Sequence, residues 1–348
     1  MRTSGRVRPH RRTSALIGVV TVGALLAAAC NVRPHDYDGD KKADIVYTTG
    51  GAAGGAWMQV GVTTPLWAGL RGDAVGGDYD NDGTWEPAEL LGRDWYSSKL
   101  AAPIHFDPAG LPTAAPAWPA SAHGGGGAIL PVPADYDGDG DTDPAYYAVV
   151  DGTWWISGQA SATPYGTPPA LTGGLDWDIP VPADYDGDKK ADIAVFHPTD
   201  STFHILQSKT GTERIVQVGA ARGNLPVPAD YDGDGRADPA VTDPTGHVWW
   251  ITPGTSTPDF SFTSTPVGYA YPVAADYDGD GRADPAVYDN RSRVLEARIG
   301  GSNTTLATLA SDAFAMPAFP FAEVANIVRI TAFDACMRNN PPSSCTTP

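Results

Sequence analysis

Six short acidic segments place carboxylates at a fixed spacing that suits a hard metal ion. In each segment acids occupy positions 1, 3, 5 and 9, and the segments begin at residues 36, 78, 135, 184, 230 and 276. Calcium takes about six to eight oxygen ligands at roughly 2.3–2.6 Å, and alternating carboxylates on a tightly turning backbone supply them. The spacing therefore predicts six calcium-binding loops, with a backbone carbonyl near position 7 as a further ligand.

The predicted metal ligands are the four acids of each segment. They are Asp36, Asp38, Asp40 and Asp44; Asp78, Asp80, Asp82 and Glu86; Asp135, Asp137, Asp139 and Asp143; Asp184, Asp186, Asp188 and Asp192; Asp230, Asp232, Asp234 and Asp238; and Asp276, Asp278, Asp280 and Asp284. These are 24 of the 41 acids, so the net charge of −18 reflects metal-ligand chemistry for the most part. Without a counter-ion such acids repel one another, which argues against a merely solvated acidic turn.

Glycine at positions 4 and 6 of most segments allows the positive φ angles of a tight loop. Asn81 replaces glycine at position 4 of the second segment, and Asn is the next best residue for that conformation. Lys41 and Lys189 replace glycine at position 6 of two other segments, which predicts a different curvature in those two loops. An EF-hand is excluded because its loop ends with Glu at position 12. Only Glu89 meets that requirement, and the flanking sequences have the pattern of short strands.

The segments recur at steps of 42, 57, 49, 46 and 46 residues, which is the length of a unit of four short strands and their turns. Large apolar residues lie eleven and thirteen residues after the position-9 acid, as in Trp154 with Ile156 and Phe203 with Ile205. This alternation is typical of a strand with one buried face. Each unit is predicted to run strand, calcium loop, strand, aromatic strand and last strand, and such units arranged radially form a β-propeller.

The repeats resemble the FG-GAP or VCBS repeat, which is also found in the propeller of integrin α subunits. The resemblance rests on the motif Asp-x-Asp-Gly-Asp-x-x-x-Asp inside a strand hairpin, and it covers about residues 31–320. It implies an all-β fold, a β-propeller of six four-stranded blades, with about six Ca²⁺ ions. A seventh, degenerate blade that uses the tail is the alternative.

The predicted domains are a signal peptide at residues 1–29, a propeller at residues 30–319 and a C-terminal tail at residues 320–348. The six blades are assigned to residues 31–72, 73–128, 129–178, 179–224, 225–270 and 271–319. A short helix that packs on the ring is expected in the tail. Cys336 and Cys345 in the tail are expected to form a disulfide, with free thiols as the alternative.

The N-terminus has the features of an export signal. Five Arg residues and no acid precede an apolar run from Ala15 to Ala29, which is short for a membrane span and typical of a signal peptide. Cys30 follows this run and resembles the lipidated Cys of a bacterial lipoprotein, with plain secretion as the alternative. The protein is therefore expected to be exported, and either lipid-anchored at the outer face of the cell membrane or secreted, where a disulfide persists.

Charge and motif content argue against several functions. The net charge of −18 disfavours nucleic acid and anionic membrane surfaces as partners, so membrane contact is expected only through the lipid anchor. The histidines share no spacing with a nucleophile or a metal partner, and no Ser lies in a nucleophile-elbow sequence. No catalytic residue is therefore predicted, and the sequence does not define an oligomeric state.

The second repeat carries about ten extra residues between Ser97 and Gly127. Insertions on a propeller are loops at one rim, and such loops often carry function. Trp95 and Trp118 flank or lie in the insertion and are candidate ligand-binding residues, with packing as the alternative. We expect a surface binding or adhesion module for a glycan or protein ligand. The alternatives are a carbohydrate-active hydrolase or lyase on the same scaffold and a purely structural envelope protein.

Overall fold

A computed structural model describes most of the region between the two termini. The described residues are 35–49, 55–70, 73–108, 129–148, 151–166, 178–219, 224–243, 245–251, 258–262, 270–289, 291–309 and 313–315. The predicted signal peptide, Cys30, Trp118, and the tail with Cys336 and Cys345 lie outside these residues.

The described residues form six four-stranded antiparallel sheets arranged in a ring, which is a six-bladed β-propeller. The predictions of an all-β fold and of six blades are confirmed. Within the described ranges there is no α-helix, and hence no helix long and apolar enough to cross a membrane.

The strands follow the blades in sequence order. They are β1 (Val46–Thr49), β2 (Gly55–Gln59) and β3 (Trp67–Leu70) in blade 1; β4 (Asp73–Ala74), β5 (Ala88–Leu91), β6 (Asp94–Ser97) and β7 (Ile104–His105) in blade 2; and β8 (Ile129–Pro131), β9 (Ala145–Ala148), β10 (Thr153–Ile156) and β11 (Thr163–Pro164) in blade 3. Next come β12 (Ile179–Pro180), β13 (Ile193–His197), β14 (Thr202–Leu206) and β15 (Glu213–Gln217) in blade 4; β16 (Leu225–Pro226), β17 (Val241–Thr242), β18 (Val248–Trp250) and β19 (Phe260–Ser261) in blade 5; and β20 (Ala270–Pro272), β21 (Ala286–Asp289), β22 (Val294–Ile299) and β23 (Ser302–Thr308) in blade 6.

The last described strand, β24 (Ala313–Ala315), completes blade 1 and closes the ring. It pairs antiparallel with β1, with Tyr47 opposite Ala315 and Thr49 opposite Ala313. The resulting strand order, β24-β1-β2-β3, is the order of the other blades, so β24 takes the place of a first strand. Residues assigned to the sixth repeat by sequence thus belong to the first blade in space. This pairing covers an edge of β1 that would otherwise be open to another chain.

The acidic segments all lie on one face of the ring. In blade 4 the first strand, β12, is buried, whereas the fourth strand, β15, is exposed at four of its five residues. First strands therefore line the centre of the ring and fourth strands its periphery. Five acidic segments connect a first strand to a second strand, and the segment at residues 36–44 leads into β1, the second strand of its blade. The six loops therefore share one end of the blades, which we call the loop face.

The third strands carry the aromatic core predicted from the sequence. Trp154, Phe203 and Trp249 are fully buried, as are the apolar residues two positions later in blades 3 and 4. The Trp154 and Phe203 rings pack on the preceding strand, each with its centroid 5.0 Å from that of Tyr147 or Phe196. Trp249 instead stacks on Phe260 of the following strand, at 5.8 Å. Ile251, at the matching position in blade 5, is only partly buried. Burying one such large side chain stabilises a fold by about 1.5–3 kcal/mol, so these residues contribute to the core of each blade.

Candidate metal centres

Each acidic loop is closed at its base by the position-9 acid. The Asp192 N–H donates to the carbonyl oxygen of Ala183 at 2.8 Å, which joins the two ends of the fourth loop. In all six loops the carboxylate of the position-9 acid also accepts the backbone N–H of the tyrosine at position 2. These N···O distances are 2.7, 3.0, 2.9, 2.9, 2.9 and 2.9 Å in chain order. The position-9 carboxylate is therefore oriented by protein groups alone.

The position-2 tyrosine anchors the loop to the propeller core. Tyr185 is buried, and its hydroxyl donates to the carbonyl oxygen of Val181, next to β12, at 2.8 Å. The same tyrosine-to-valine bond occurs in the second, third, fifth and sixth loops at 2.6–2.7 Å. The rigid inner strand thus sets the position of the acidic loop.

The carboxylate at position 1 organises the turn. Asp230 accepts the N–H of Gly233 at 2.6 Å and the N–H of Gly235 at 2.9 Å. Lys41 and Lys189 occupy the second of these places in their loops with φ of 71°, and each donates its N–H to its position-1 Asp as glycine does. The expectation of a different curvature at these two lysines was wrong. The pair of N–H bonds to one carboxylate holds them in the left-handed conformation.

The loops bring the predicted ligands together to different extents. In the second loop Asp78, Asp80, Asp82 and Glu86 each offer an oxygen within 4.8 Å of the others. In the first and fifth loops the acids at positions 1, 3 and 5 meet this distance, and in the third and fourth loops those at positions 1, 3 and 9 do. In these five loops at least three of the four predicted carboxylates therefore converge, and every convergent atom is an oxygen.

The second loop holds a buried acceptor with no hydrogen bond. Glu86 is fully buried, and its Oε1 has no hydrogen-bond partner, while Oε2 accepts the Tyr79 N–H at 3.0 Å. A buried carboxylate oxygen without a partner costs free energy that a bound cation would offset. The donor set, the convergence and this oxygen together fit a hard divalent cation such as Ca²⁺.

Six backbone hydrogen bonds join neighbouring loops into a closed ring. In each bond the N–H of position 8 donates to the carbonyl oxygen of position 1 in the preceding loop. The pairs are Trp85 to Asp36, Thr142 to Asp78, Ala191 to Asp135, Ala237 to Asp184, Ala283 to Asp230 and Ala43 to Asp276, at 2.6–2.8 Å. The last pair links the sixth loop to the first. We call this ring of bonds the loop belt; it fixes every predicted metal site relative to the next.

Side chains also cross from one loop to the next. A Cβ atom added to Gly233 at position 4 would lie 3.1 Å from Cγ of Arg282, which occupies position 7 of the next loop. The stems of Lys190, Arg236 and Lys42 cross the position-4 glycine of the preceding loop in the same way. In these four loops glycine at position 4 is thus favoured by its positive φ and also by the neighbouring side chain. This contact was not predicted, although the basic residues that recur at position 7 of four segments are a sequence signal for it.

Residues at the ends of third strands reach over the loops, and none was predicted as a site residue. Gln59 donates from Nε2 to Asp44 at 2.5 Å. Ser208 donates its N–H to Asp192 at 2.7 Å and its hydroxyl to Asp188 at 3.0 Å. In the second loop Lys99 Nζ lies 2.6 Å from Asp82 Oδ2. These residues share no sequence spacing, so only the fold identifies them.

Burial disfavours the ionised form of the position-9 acids and so raises their pKa. It raises the pKa of Asp44, Asp143 and Asp284 to about 6 and that of Glu86 to about 7. Hydrogen bonds from the position-2 N–H oppose the effect of burial, and neighbouring acids add to it. Burial also raises the pKa of Asp192 and of Asp238. At neutral pH the carboxylates of each loop therefore repel one another unless a cation is bound.

Trp95 does not lie at the surface. It is 1% exposed, its ring packs against Tyr79 and Tyr146, and its indole N–H donates to the Tyr146 hydroxyl at 3.0 Å. A ring packed in this way has no free face for a ligand, so Trp95 contributes to the contact between blades 2 and 3. Trp118 and residues 109–127 of the insertion lie outside the described part of the chain.

Three histidines contact carboxylates that sequence spacing did not indicate. His105 lies 2.6 Å from Asp94, and His197 lies 2.7 Å from the buried Asp178. The third, His204, lies 3.1 Å from Glu213 in blade 4. Glu213 also accepts the hydroxyl of Tyr165 from blade 3 at 3.0 Å. The last group is a polar contact between two blades.

The ring of blades and the repeated acidic loop define a β-propeller with acidic loops on one face. Residues 230–287 match the model of the family described as FG-GAP-like repeat. This segment runs from the fifth acidic loop through blade 5 and the sixth loop to β21. The chain therefore carries an FG-GAP-like repeat, as the sequence predicted. No curated protein matches the chain.

Several solved structures have a distantly similar shape. One concerns recognition of non-reducing terminal N-acetylglucosamine by an Agrocybe aegerita lectin, with a TM-score of 0.46, 16% identity, and coverage of 78% of this chain and 77% of that one. Another is BBS1N in complex with ARL6DN soaked with mercury, with a TM-score of 0.41, 12% identity, and coverage of 80% and 90%. The lead-soaked form of that complex has a TM-score of 0.38 at 12% identity, with coverage of 76% and 78%.

The contact between loops can be measured with two alanine substitutions in the fifth loop. Gly233→Ala and Gly235→Ala both place alanine at positive φ, of 78° and 84°, which costs about 1–2 kcal/mol each. Only the first also meets Arg282, because nothing lies within 4 Å of a Cβ at Gly235. We expect Gly233→Ala to lower the free energy of unfolding more, as measured by urea denaturation. The extra loss should disappear in an Arg282→Ala background; equal losses in the two single variants would contradict the contact.

Raised acid pKa values predict the pH dependence of the metal-free protein. The pKa of Asp143 is 3.8 in a model peptide and about 6 in the fold, so the folded state binds more protons between these values. Stability from this group is present at low pH and is lost as pH rises through about 6. In excess chelator, Tm should therefore be higher at pH 5 than at pH 7, and Asp143→Asn should raise Tm at pH 7. Asp151→Asn, outside the loops, is the charge control; an effect as large as that of Asp143→Asn would refute the cause.

Proposed function

We propose that the protein is an exported calcium-binding β-propeller that acts as a surface binding module for a glycan or another protein. The observation that carries the proposal is the loop belt, which holds convergent all-oxygen groups around one face of a ring. An FG-GAP-like repeat in blades 5 and 6 supports the same class of module.

The acids at positions 1, 3, 5 and 9 of each loop would hold calcium, giving about six sites. When bound, the ion would supply positive charge where burial and neighbouring acids disfavour ionisation. Protein groups do the rest: the position-2 N–H orients the position-9 carboxylate, and two turn amides orient the position-1 carboxylate. Calcium would therefore stabilise the loops and, through the loop belt, the contacts between blades.

The binding role rests on the scaffold and on the second repeat. If the insertion forms an enlarged loop at one rim of the ring, it would add contact area where ligands commonly sit. Aromatic faces suit sugars and protein hot spots. Because Trp95 is buried, Trp118 is the candidate aromatic residue for ligand binding. The proposal includes export by the N-terminal signal and lipidation of Cys30 at the outer face of the membrane.

Calcium removal is expected to destabilise the whole propeller. At free calcium of about 100 times the dissociation constant, one independent site stabilises a fold by roughly 2.7 kcal/mol. We therefore expect excess chelator to lower Tm by many degrees, and Asp232→Ala to lower the calcium-loaded Tm while Asp151→Ala leaves it nearly unchanged. An identical melting curve with and without chelator would overturn calcium binding.

Ligand binding is expected to depend on the insertion. A glycan array and a pull-down from an envelope fraction would compare the wild type with a variant shortened within residues 109–127, and with Trp118→Ala. Loss of binding at an unchanged Tm would support the rim site, whereas equal binding would move the site elsewhere. Release of product from a polysaccharide, abolished by changing one acid outside the loops, would favour a carbohydrate-active enzyme instead.

The N-terminus makes a separate prediction. Mass spectrometry of the native protein should find a chain that begins at Cys30 and carries lipid, and the protein should fractionate with membranes. Cys30→Ser should release it from the membrane. An unmodified Cys30, or a start well downstream, would refute the anchor while leaving calcium binding untouched.

A further inference from the structure

The second loop contains a cation from its own chain. Lys99 follows the third strand of blade 2, and its Nζ donates to Asp82 Oδ2 at 2.6 Å and to Thr84 Oγ1 at 2.5 Å. The same atom lies 3.8 Å from Oε1 of the buried Glu86, the oxygen without a hydrogen bond. One ammonium group thus contacts two of the four acids that converge in this loop.

In the first and fourth loops the groups at the corresponding place are uncharged. Gln59 covers Asp44 of the first loop with an amide. Ser208 covers the fourth loop with a hydroxyl and a backbone N–H, and the next residue, Lys209, also reaches that loop through its backbone N–H, 3.2 Å from Asp186. Neutral groups can orient carboxylates without competing with a cation for their charge.

Position 9 of the second loop is adapted to this arrangement. It is the one acidic segment with Glu in place of Asp at that position. The longer side chain keeps Oε2 on the Tyr79 N–H while Oε1 turns toward Lys99. The side chain of Lys99 is 35% exposed, so it can leave the loop for solvent without disturbing the core.

We propose that Lys99 is a tethered counter-ion of the second loop, which competes with calcium there and holds the loop together when calcium is absent. This inference rests on the proposed calcium function. At low calcium the ammonium satisfies the acids, so that the contacts of this loop with its two neighbours in the loop belt persist. At high calcium the ion displaces Lys99, and this site fills at a higher concentration than it would without the lysine.

Substitution of Lys99 should therefore act with opposite sign in the two conditions. In Lys99→Gln we expect the affinity of one site to rise about tenfold, because a unit charge a few ångströms from the ligands is removed. In excess chelator the same variant should melt at a lower temperature than the wild type. Lys99→Arg keeps the charge and should resemble the wild type in both measurements. Arg291→Gln removes a charge of the same sign from an exposed turn between β21 and β22, outside the acidic loops, and should change neither.

The two measurements are native mass spectrometry at buffered free calcium, which counts bound ions, and melting in excess chelator. One additional ion on Lys99→Gln near the midpoint of filling, together with a lower Tm in chelator, would support the proposal. Equal ion counts and equal melting temperatures for Lys99→Gln and wild type would overturn it, even with calcium bound at the loops. If the wild type binds no calcium, the proposed function itself fails, and the competition falls with it.

Discussion

The structure depends on one backbone hydrogen bond that is repeated around the ring, from the N–H at position 8 of one acidic loop to the carbonyl at position 1 of the loop before it. The residue that accepts this bond, such as Asp230, also presents the carboxylate that organises its own turn. The contact between blades and the geometry of the predicted metal site are therefore properties of the same residue. We therefore expect a change at one loop to affect the next through this direct hydrogen bond.

The hydrogen bonds between loops also explain why so many acids lie close together on the loop face. A propeller blade buries its strands against two neighbours, and its inner loops are held close to one another as a result. Burial then raises the pKa of acids such as Asp143 and Glu86 toward neutrality. The repulsion between these acids is offset by turn amides, by basic residues at position 7 and, in the second loop, by Lys99. A divalent cation would complete the same neutralisation more strongly, which is consistent with the proposed binding of calcium.

The features that repeat along the chain could be predicted from the sequence, whereas those that occur once could not. Six acidic segments at steps near 46 residues were sufficient to predict the blades, their strand order and the buried faces of residues such as Trp154 and Phe203. The strand β24 was not foreseen as part of blade 1, because it carries no motif and its role follows from ring closure. Trp95 was taken as a candidate anchor because sequence cannot distinguish a packed indole from an exposed one. Lys99 was missed because its contact with the second loop depends on where the third strand of blade 2 ends, and no repeated spacing marks that position.

The loop belt can be tested most directly by native-state hydrogen exchange of the six position-8 amides in the calcium-loaded protein. An exposed loop amide exchanges through local fluctuation, whereas an amide in a bond between blades exchanges only when the ring opens. We expect protection close to that of global unfolding at all six amides, with Ala43, which closes the ring onto Asp276, as protected as Ala237. Fast exchange at these amides, comparable to that of the exposed turn at Gly211, would contradict the belt as the interaction that holds the blades together.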